Sequence, residues 1–278
     1  MKMKKVEPVY FDSHMHTPLC KHAFGEPEEY AEQALERGLR GIIFTCHSPM
    51  PDGFWPQVRM GMSEFGDYVA LIERARRAYE GRLEIRLGME SDFFPGFEGW
   101  IKELHGMADF HYCLGSVHWQ GKDYMQRYET GDVFEFQKTY FRLLAESAET
   151  GLFDCLAHPD LVKNYEPMHW DFESIRPAVA EALDRIKRTG VHMELNTSGL
   201  NKRYAAMNPG PEMLEMMAER GIPVVVGSDS HVSRRVADNF PLALRMLKAA
   251  GYEEVSVFEK RKPKHMKIAE VEKTLKGE

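Results

Sequence analysis

Seven short apolar runs alternate with longer stretches of helical period along this chain, and no other feature restricts its fold so tightly. The runs lie at residues 9–11, 41–45, 84–90, 110–116, 153–157, 192–196 and 224–227, with a weaker eighth at 255–258. Between them the apolar spacing predicts helices over 27–37, 64–79, 133–150, 172–188, 211–220 and 237–249. Strands that alternate with helices pair in parallel, because each helix carries the chain back across the sheet before the next strand begins. Glycine stands where several of these helices should stop, at Gly38, Gly81, Gly151, Gly190, Gly221 and Gly251. A length of 278 residues suits one α/β barrel, so a single domain over 1–278 is expected, with 260–278 as a charged, partly helical tail. Residues 48–63, rich in proline and glycine, read as a long loop covering a site.

The ends of the runs carry the chemistry. His14, His16 and His22 follow the first, His47 the second, and Glu90 closes the third. His118 follows the fourth, His158 the fifth, and Asp229 and His231 the seventh. Parallel barrel strands present their C-terminal ends on one face, so these nine residues should meet in one pocket. Imidazole and carboxylate suit zinc, manganese or iron, and a catalytic ion takes about three protein ligands. Nine ligands therefore imply two or three divalent ions, with Glu90 able to serve two of them through separate oxygens. His105, His111, His169, His192 and His265 occupy no matching position and read as surface or hydrogen-bonded residues. Cys46, beside His47, reads as packing, although a thiolate there could join the cluster. Met213, Met216 and Met217 read as core.

Composition narrows the function classes. Apolar residues make up 43% and charged residues 28%, which permits a packed core. No apolar run approaches the roughly 18 to 20 residues that span a bilayer, and the start of the chain lacks a leader-like apolar stretch, so no membrane partner and a cytoplasmic location are expected. The four cysteines show no CxxC spacing and read as reduced thiols. A formal charge of -7 argues against a nucleic-acid polymer as partner.

At the residues named above the chain resembles the polymerase and histidinol phosphatase superfamily, in its histidinol-phosphatase branch. The matching segments are DSHMHTPLCKHA (12–23), FTCHSP (44–49), LGMESDFFPG (87–96), LGSVHW (114–119), GLFDCLAHPDLVK (151–163), ELNTSGL (194–200) and GSDSH (227–231). The resemblance implies a distorted (βα)7 TIM-like barrel and a trinuclear metal site. It assigns His14, His16, Glu90 and Asp229 to one ion, Glu90, His118 and His158 to a second, and His22, His47 and His231 to a third. Two departures stand out: Cys46 replaces the usual aspartate, and Asn201 replaces an arginine, with Lys202 and Arg203 following.

The implied reaction is hydrolysis of a small phosphate monoester, L-histidinol phosphate to L-histidinol and phosphate in histidine biosynthesis. Divalent ions would neutralise the dianion and acidify the attacking water. Asp229 and His231 are candidates for moving protons. Arg59, Lys202 and Arg203 are the basic candidates for phosphate, and Asn196 and Ser198 either bind substrate or cap their loop. Two other readings remain open: a phosphoesterase for nucleotides or other small phosphate esters, and a barrel that binds metal without catalysis.

Overall fold

The structure, a computed structural model, describes residues 7–276. Seven parallel strands form one sheet in sequence order: β1 (Phe11–Asp12), β2 (Gly41–Phe44), β3 (Glu84–Asp92), β4 (Tyr112–Ser116), β5 (Cys155–Leu156), β6 (His192–Asn196) and β7 (Val224–Gly227). Every neighbouring pair is parallel, as the strand and helix alternation requires. The ring closes through an isolated parallel bridge between Met15 and Ser230, giving the expected distorted seven-stranded barrel.

The helices are α1 (Pro27–Glu36), α2 (Phe65–Ala78), α3 (Glu98–His105), α4 (Lys122–Tyr128), α5 (Val133–Glu149), α6 (Phe172–Thr189), α7 (Pro211–Glu219) and α8 (Phe240–Ala249). Their starts follow local chemistry. At α1, Glu26 and Glu29 form a reciprocal capping box ahead of Pro27, while Asp132 and Asp171 accept the first free amides of α5 and α6. Helix α6 ends at Gly190, whose φ of 75° is a left-handed cap that a Cβ would strain. Met213, Met216 and Met217 are buried, as read from the sequence. Two short helices, α3 and α4, were not expected, and α8 begins three residues later than the pattern suggested because Ala237 and Asn239 take positive φ.

At the end of the chain the weaker eighth run is a strand, and the stretch expected as a tail supplies its partner. Residues 254–267 form an antiparallel hairpin, β8 (Glu254–Glu259) with β9 (Lys262–Lys267), followed by a short helix α9 (Ile268–Val271). Residues 277 and 278 of the anticipated tail lie outside the described residues. Val257 and Phe258 join Phe11, Ile43, Tyr112, Leu114 and Val225 in a buried apolar cluster separate from the main core. The Phe258 ring lies 5.0 Å from Tyr112 and 4.9 Å from His192, the first residues of β4 and β6. The hairpin therefore plugs the N-terminal end of the barrel, and each fully buried side chain there contributes about 1.5–3 kcal/mol. The opposite end, where the strands terminate, is left for polar residues.

Candidate metal centre

The ligand-type residues lie beyond the ends of their strands, except Glu90, which projects from β3 two residues before that strand stops. His14 and His16 follow β1, two residues apart, so both rings point the same way along an extended segment. His47 pairs with Glu90 through an isolated backbone bridge, which sets the two side chains next to each other. His158 and Asp229 hold positive φ values of 29° and 50°, sparsely populated for residues other than glycine, and such backbone strain concentrates at functional sites.

The nine residues converge. Glu90 is their centre: Oε1 lies 3.1 Å from His158 Nε2 and 3.5 Å from His118 Nε2. Oε2 lies 2.8 Å from His47 Nδ1, 3.5 Å from His14 Nε2 and 3.7 Å from His16 Nε2. Its two oxygens thus face different imidazoles. Asp229 Oδ1 lies 3.1 Å from His16 Nε2 and 3.7 Å from His14 Nε2. At the rim His22 Nε2 and His231 Nε2 are 2.9 Å apart, and the His22 ring is 5.4 Å from that of His47.

Burial alone would raise the carboxyl pKa of Glu90, but the imidazoles of His47, His14 and His118 outweigh it and hold the group well below its usual range. Asp229 is likewise held low against its burial, by His14, His16, Lys202 and His231. Both carboxylates stay anionic inside a ring of imidazoles.

The residues fit divalent cations on a structural ground. His14 Nε2 and His47 Nδ1, which face Glu90 Oε2, and that oxygen itself are buried and make no hydrogen bond, which is costly unless something else satisfies them. Three groups drawn wholly from the nine place their ligand atoms within 4.8 Å of one another: His14, His16 and Asp229; His47, Glu90 and His118; and His16, His47 and His231. None of the five histidines set aside from the sequence enters such a group among the described residues. His105 instead contacts Ser91, and His192 stacks on His265.

Several supporting residues escaped the sequence reading. Glu194, inside β6 and 1% exposed, accepts from His14 Nδ1 at 2.7 Å, from the His158 amide at 2.8 Å and from Asn196 Nδ2 at 2.9 Å. Asp92, two residues beyond Glu90, accepts from His118 Nδ1 at 2.7 Å. Such partners fix ring orientation and tautomer. A charged residue in a strand buried along its whole length was the available signal for Glu194, since such a carboxylate needs partners.

The residues proposed for substrate fall in different places. Arg59, expected at the phosphate, is engaged by the protein itself. It is 2% exposed and donates from Nε to Trp55 O, from Nη1 to Ser48 O and from Nη2 to Asp92. Its charge compensates the buried Asp92, and it ties the 48–63 loop to the carboxylate that orients His118. That loop, built from three 3-10 turns, also sets the Trp55 ring 6.2 Å from His118. Asn196 and Ser198 are buried: Asn196 Oδ1 accepts the Ser198 amide, and the Ser198 hydroxyl lies 2.9 Å from Asp229 Oδ2. Lys202 reaches the rim, its Nζ 3.9 Å from Asp229 Oδ2, whereas Arg203 is exposed with no bond to the cluster.

Strand tips that gather imidazoles and carboxylates over a plugged (βα)7 barrel define a PHP domain, and residues 12–198 match that family; the chain belongs to it. A Deinococcus radiodurans protein named "probable histidinol-phosphatase" is 38% identical over 247 residues, covering 86% of this chain and 93% of its own. The histidinol-phosphatase of Bacillus subtilis is 29% identical, covering 79% of this chain and 92% of its own. Among solved structures, the histidinol phosphate phosphatase of Lactococcus lactis, crystallised with zinc, L-histidinol and phosphate, superposes with a TM-score of 0.78 at 20% identity, over 92% of this chain and 98% of its own.

Proposed function

We propose that this chain hydrolyses a small phosphate monoester, L-histidinol phosphate, to L-histidinol and inorganic phosphate, in a cytoplasmic setting. The observation that supports this most is the gathering of five imidazoles, those of His14, His16, His47, His118 and His158, around the two oxygens of Glu90, in a PHP-family chain with close relatives named for that reaction. The four cysteines are free and buried, and no helix among the described residues is long and apolar enough to cross a membrane.

His14, His16 and Asp229 would hold one divalent ion, and Glu90 with His118, His47 and His158 a second. His22 and His231, with His47 or His16 nearby, would hold a third. When bound, such ions supply charge neutralisation for the phosphate dianion and acidify a water. The chain's own residues then account for the rest. Glu194 and Asp92 lock the His14 and His118 rings, so little reorganisation is needed when substrate arrives. Lys202 is the cation at the rim able to draw in the dianion. Asp229 and His231 are assigned proton handling besides ion binding, since Asp229 is hydrogen-bonded to Ser198 and His231 lies partly open to solvent.

Phosphate release should be measured on the zinc-loaded and manganese-loaded protein with L-histidinol phosphate, nucleoside monophosphates and simple sugar phosphates. L-Histidinol phosphate is expected to give the highest kcat/KM; faster turnover of a nucleotide would overturn the substrate assignment. His118→Ala should lose metal and phosphatase activity together, and full activity in that variant would defeat the site.

A further inference from the structure

We propose that Cys20, Cys46 and the Nδ1 atom of His16 form a capture site for one thiophilic cation, of the class of Cd(II), Hg(II) or Cu(I), alongside the nine-residue centre. A ligand atom of each of the three residues lies within 4.8 Å of the others, and all three residues are buried. Neither cysteine is bonded in a disulfide.

The orientation of His16 carries the assignment. Its Nε2 faces Asp229 at 3.1 Å and Glu90 at 3.7 Å, which turns Nδ1 away from the carboxylates. That Nδ1 is buried and makes no hydrogen bond. In four neighbouring imidazoles the outer nitrogen is satisfied by oxygen: His14 by Glu194, His118 by Asp92, His22 by the Cys20 carbonyl and His231 by the Asp229 carbonyl. His16 meets sulfur in the corresponding place, because position 46 is a cysteine.

The surroundings of Cys46 suit a metal-bound sulfur. The Thr17 amide and hydroxyl lie 3.5 Å and 3.3 Å from its Sγ and donate to it, as they would to a thiolate, while the protonated thiol has Thr17 O at 3.6 Å as acceptor. Paired sulfurs with one imidazole select soft ions, whereas the adjoining imidazole and carboxylate groups suit harder ones. Chemical softness therefore separates two sites that share the His16 ring.

The site adjoins the rim of the centre through Cys20. Cys20 also belongs to a second group, with His22 and His231, whose ligand atoms lie within the same 4.8 Å limit, and His22 is exposed. An ion arriving at His22 and His231 meets Cys20 first and Cys46 next. Each thiol gives up its proton to solvent as its sulfur binds the cation, so no oxidant or reductant is involved. Occupation draws His16 toward the sulfurs and away from Asp229, which inhibits a centre that depends on that ring.

The test is titration of the full-length, zinc-loaded protein with cadmium chloride, read by ultraviolet absorption. A thiolate-to-cadmium charge-transfer band should saturate at a single cadmium per chain, in the unaltered protein and in Cys113→Ser. Cadmium exchanged into imidazole and carboxylate sites gives no such band. The band should be lost in Cys20→Ser and in Cys46→Ser. X-ray absorption at the cadmium edge of the unaltered protein should show two sulfur neighbours, a result that does not depend on how any variant folds. No band in the unaltered protein, a band that survives both substitutions, or a cadmium shell without sulfur would overturn the site. Absence of phosphatase activity in the zinc-loaded protein would instead count against the function proposed above and leave the optical result standing.

Discussion

The carboxylate of Glu194 holds the Nδ1 of His14 at 2.7 Å, and the same carboxylate, through its other oxygen, holds the backbone amide of His158. One buried side chain of β6 thereby sets the ring of a residue after β1 and the main chain of a residue after β5. Glu194→Gln keeps the size but removes the charge and replaces one acceptor oxygen with a donor. Metal affinity or kcat should fall by about 10- to 100-fold with the fold retained. Metal content by elemental analysis, beside circular dichroism, checks this, and unchanged metal content and rate would show that the contact is incidental.

Gly227, the last residue of β7, leaves the room this pair needs. A Cβ there would run into the Glu194 carboxylate and come within 2.7 Å of His14 Cβ. Gly227→Ala should cost about 1–3 kcal/mol, as overpacked interiors do, and lower metal content as well. Thermal unfolding with and without added zinc measures both effects; a variant with unaltered Tm and metal content would contradict this packing.

Arg59 and Asp92 form an ion pair removed from solvent, so breaking it leaves a buried carboxylate without its guanidinium, held by His118. Arg59→Met should destabilise the protein by about 3–5 kcal/mol, and the 48–63 loop should become more sensitive to protease. Urea unfolding and timed proteolysis give the readings. The opposite pattern, intact stability with a large rise in KM alone, would restore Arg59 to the role its sequence position first suggested, direct binding of phosphate.

His192 supplies an acid-sensitive contribution away from the metal centre. Burial, with a smaller push from His265, lowers its pKa from 6.5 to about 4, and its Nε2 is buried without a hydrogen bond. Because its folded value lies below its unfolded value, the unfolded chain binds the extra proton first as pH drops. Stability is therefore complete above pH 6.5, declines as pH falls toward 4, and levels off below. The loss is about 3 kcal/mol by the lower end of that window. His192→Phe should remove this slope, read as the difference between variant and parent urea midpoints at neutral and acid pH; parallel curves would refute it.

Much of this molecule was readable before folding. The strand tips announced the cluster because barrel topology converts sequence order into spatial convergence, and β6 and β7 fell where the apolar runs ended. The supporting residues were harder to see. Asp92 was missed because β3 runs two residues past Glu90, which places both carboxylates on the same side of the strand. The partner of Arg59 lies 33 residues further along the chain, and nothing local in the sequence joins the two. Strand β8 lies over the weaker eighth run, but its partner β9 reads as tail because nearly every residue of β9 is exposed, so it shows no apolar alternation and only its cross-strand pairing defines it.

The barrel seam lies at the ligands themselves. Ser230 exchanges backbone hydrogen bonds with His14 and His16, and Asp12 accepts from the Ser228 amide and the Ala237 amide, while β1 and β7 share no regular ladder. The ring is thus fastened by contacts between segments more than 200 residues apart, the most expensive kind to close entropically and the last to be rewarded during folding. Completion of the ring is what brings Asp229 and His231 to His14 and His16, so a nascent chain assembles those ligand groups only when β7 has docked against the first strand.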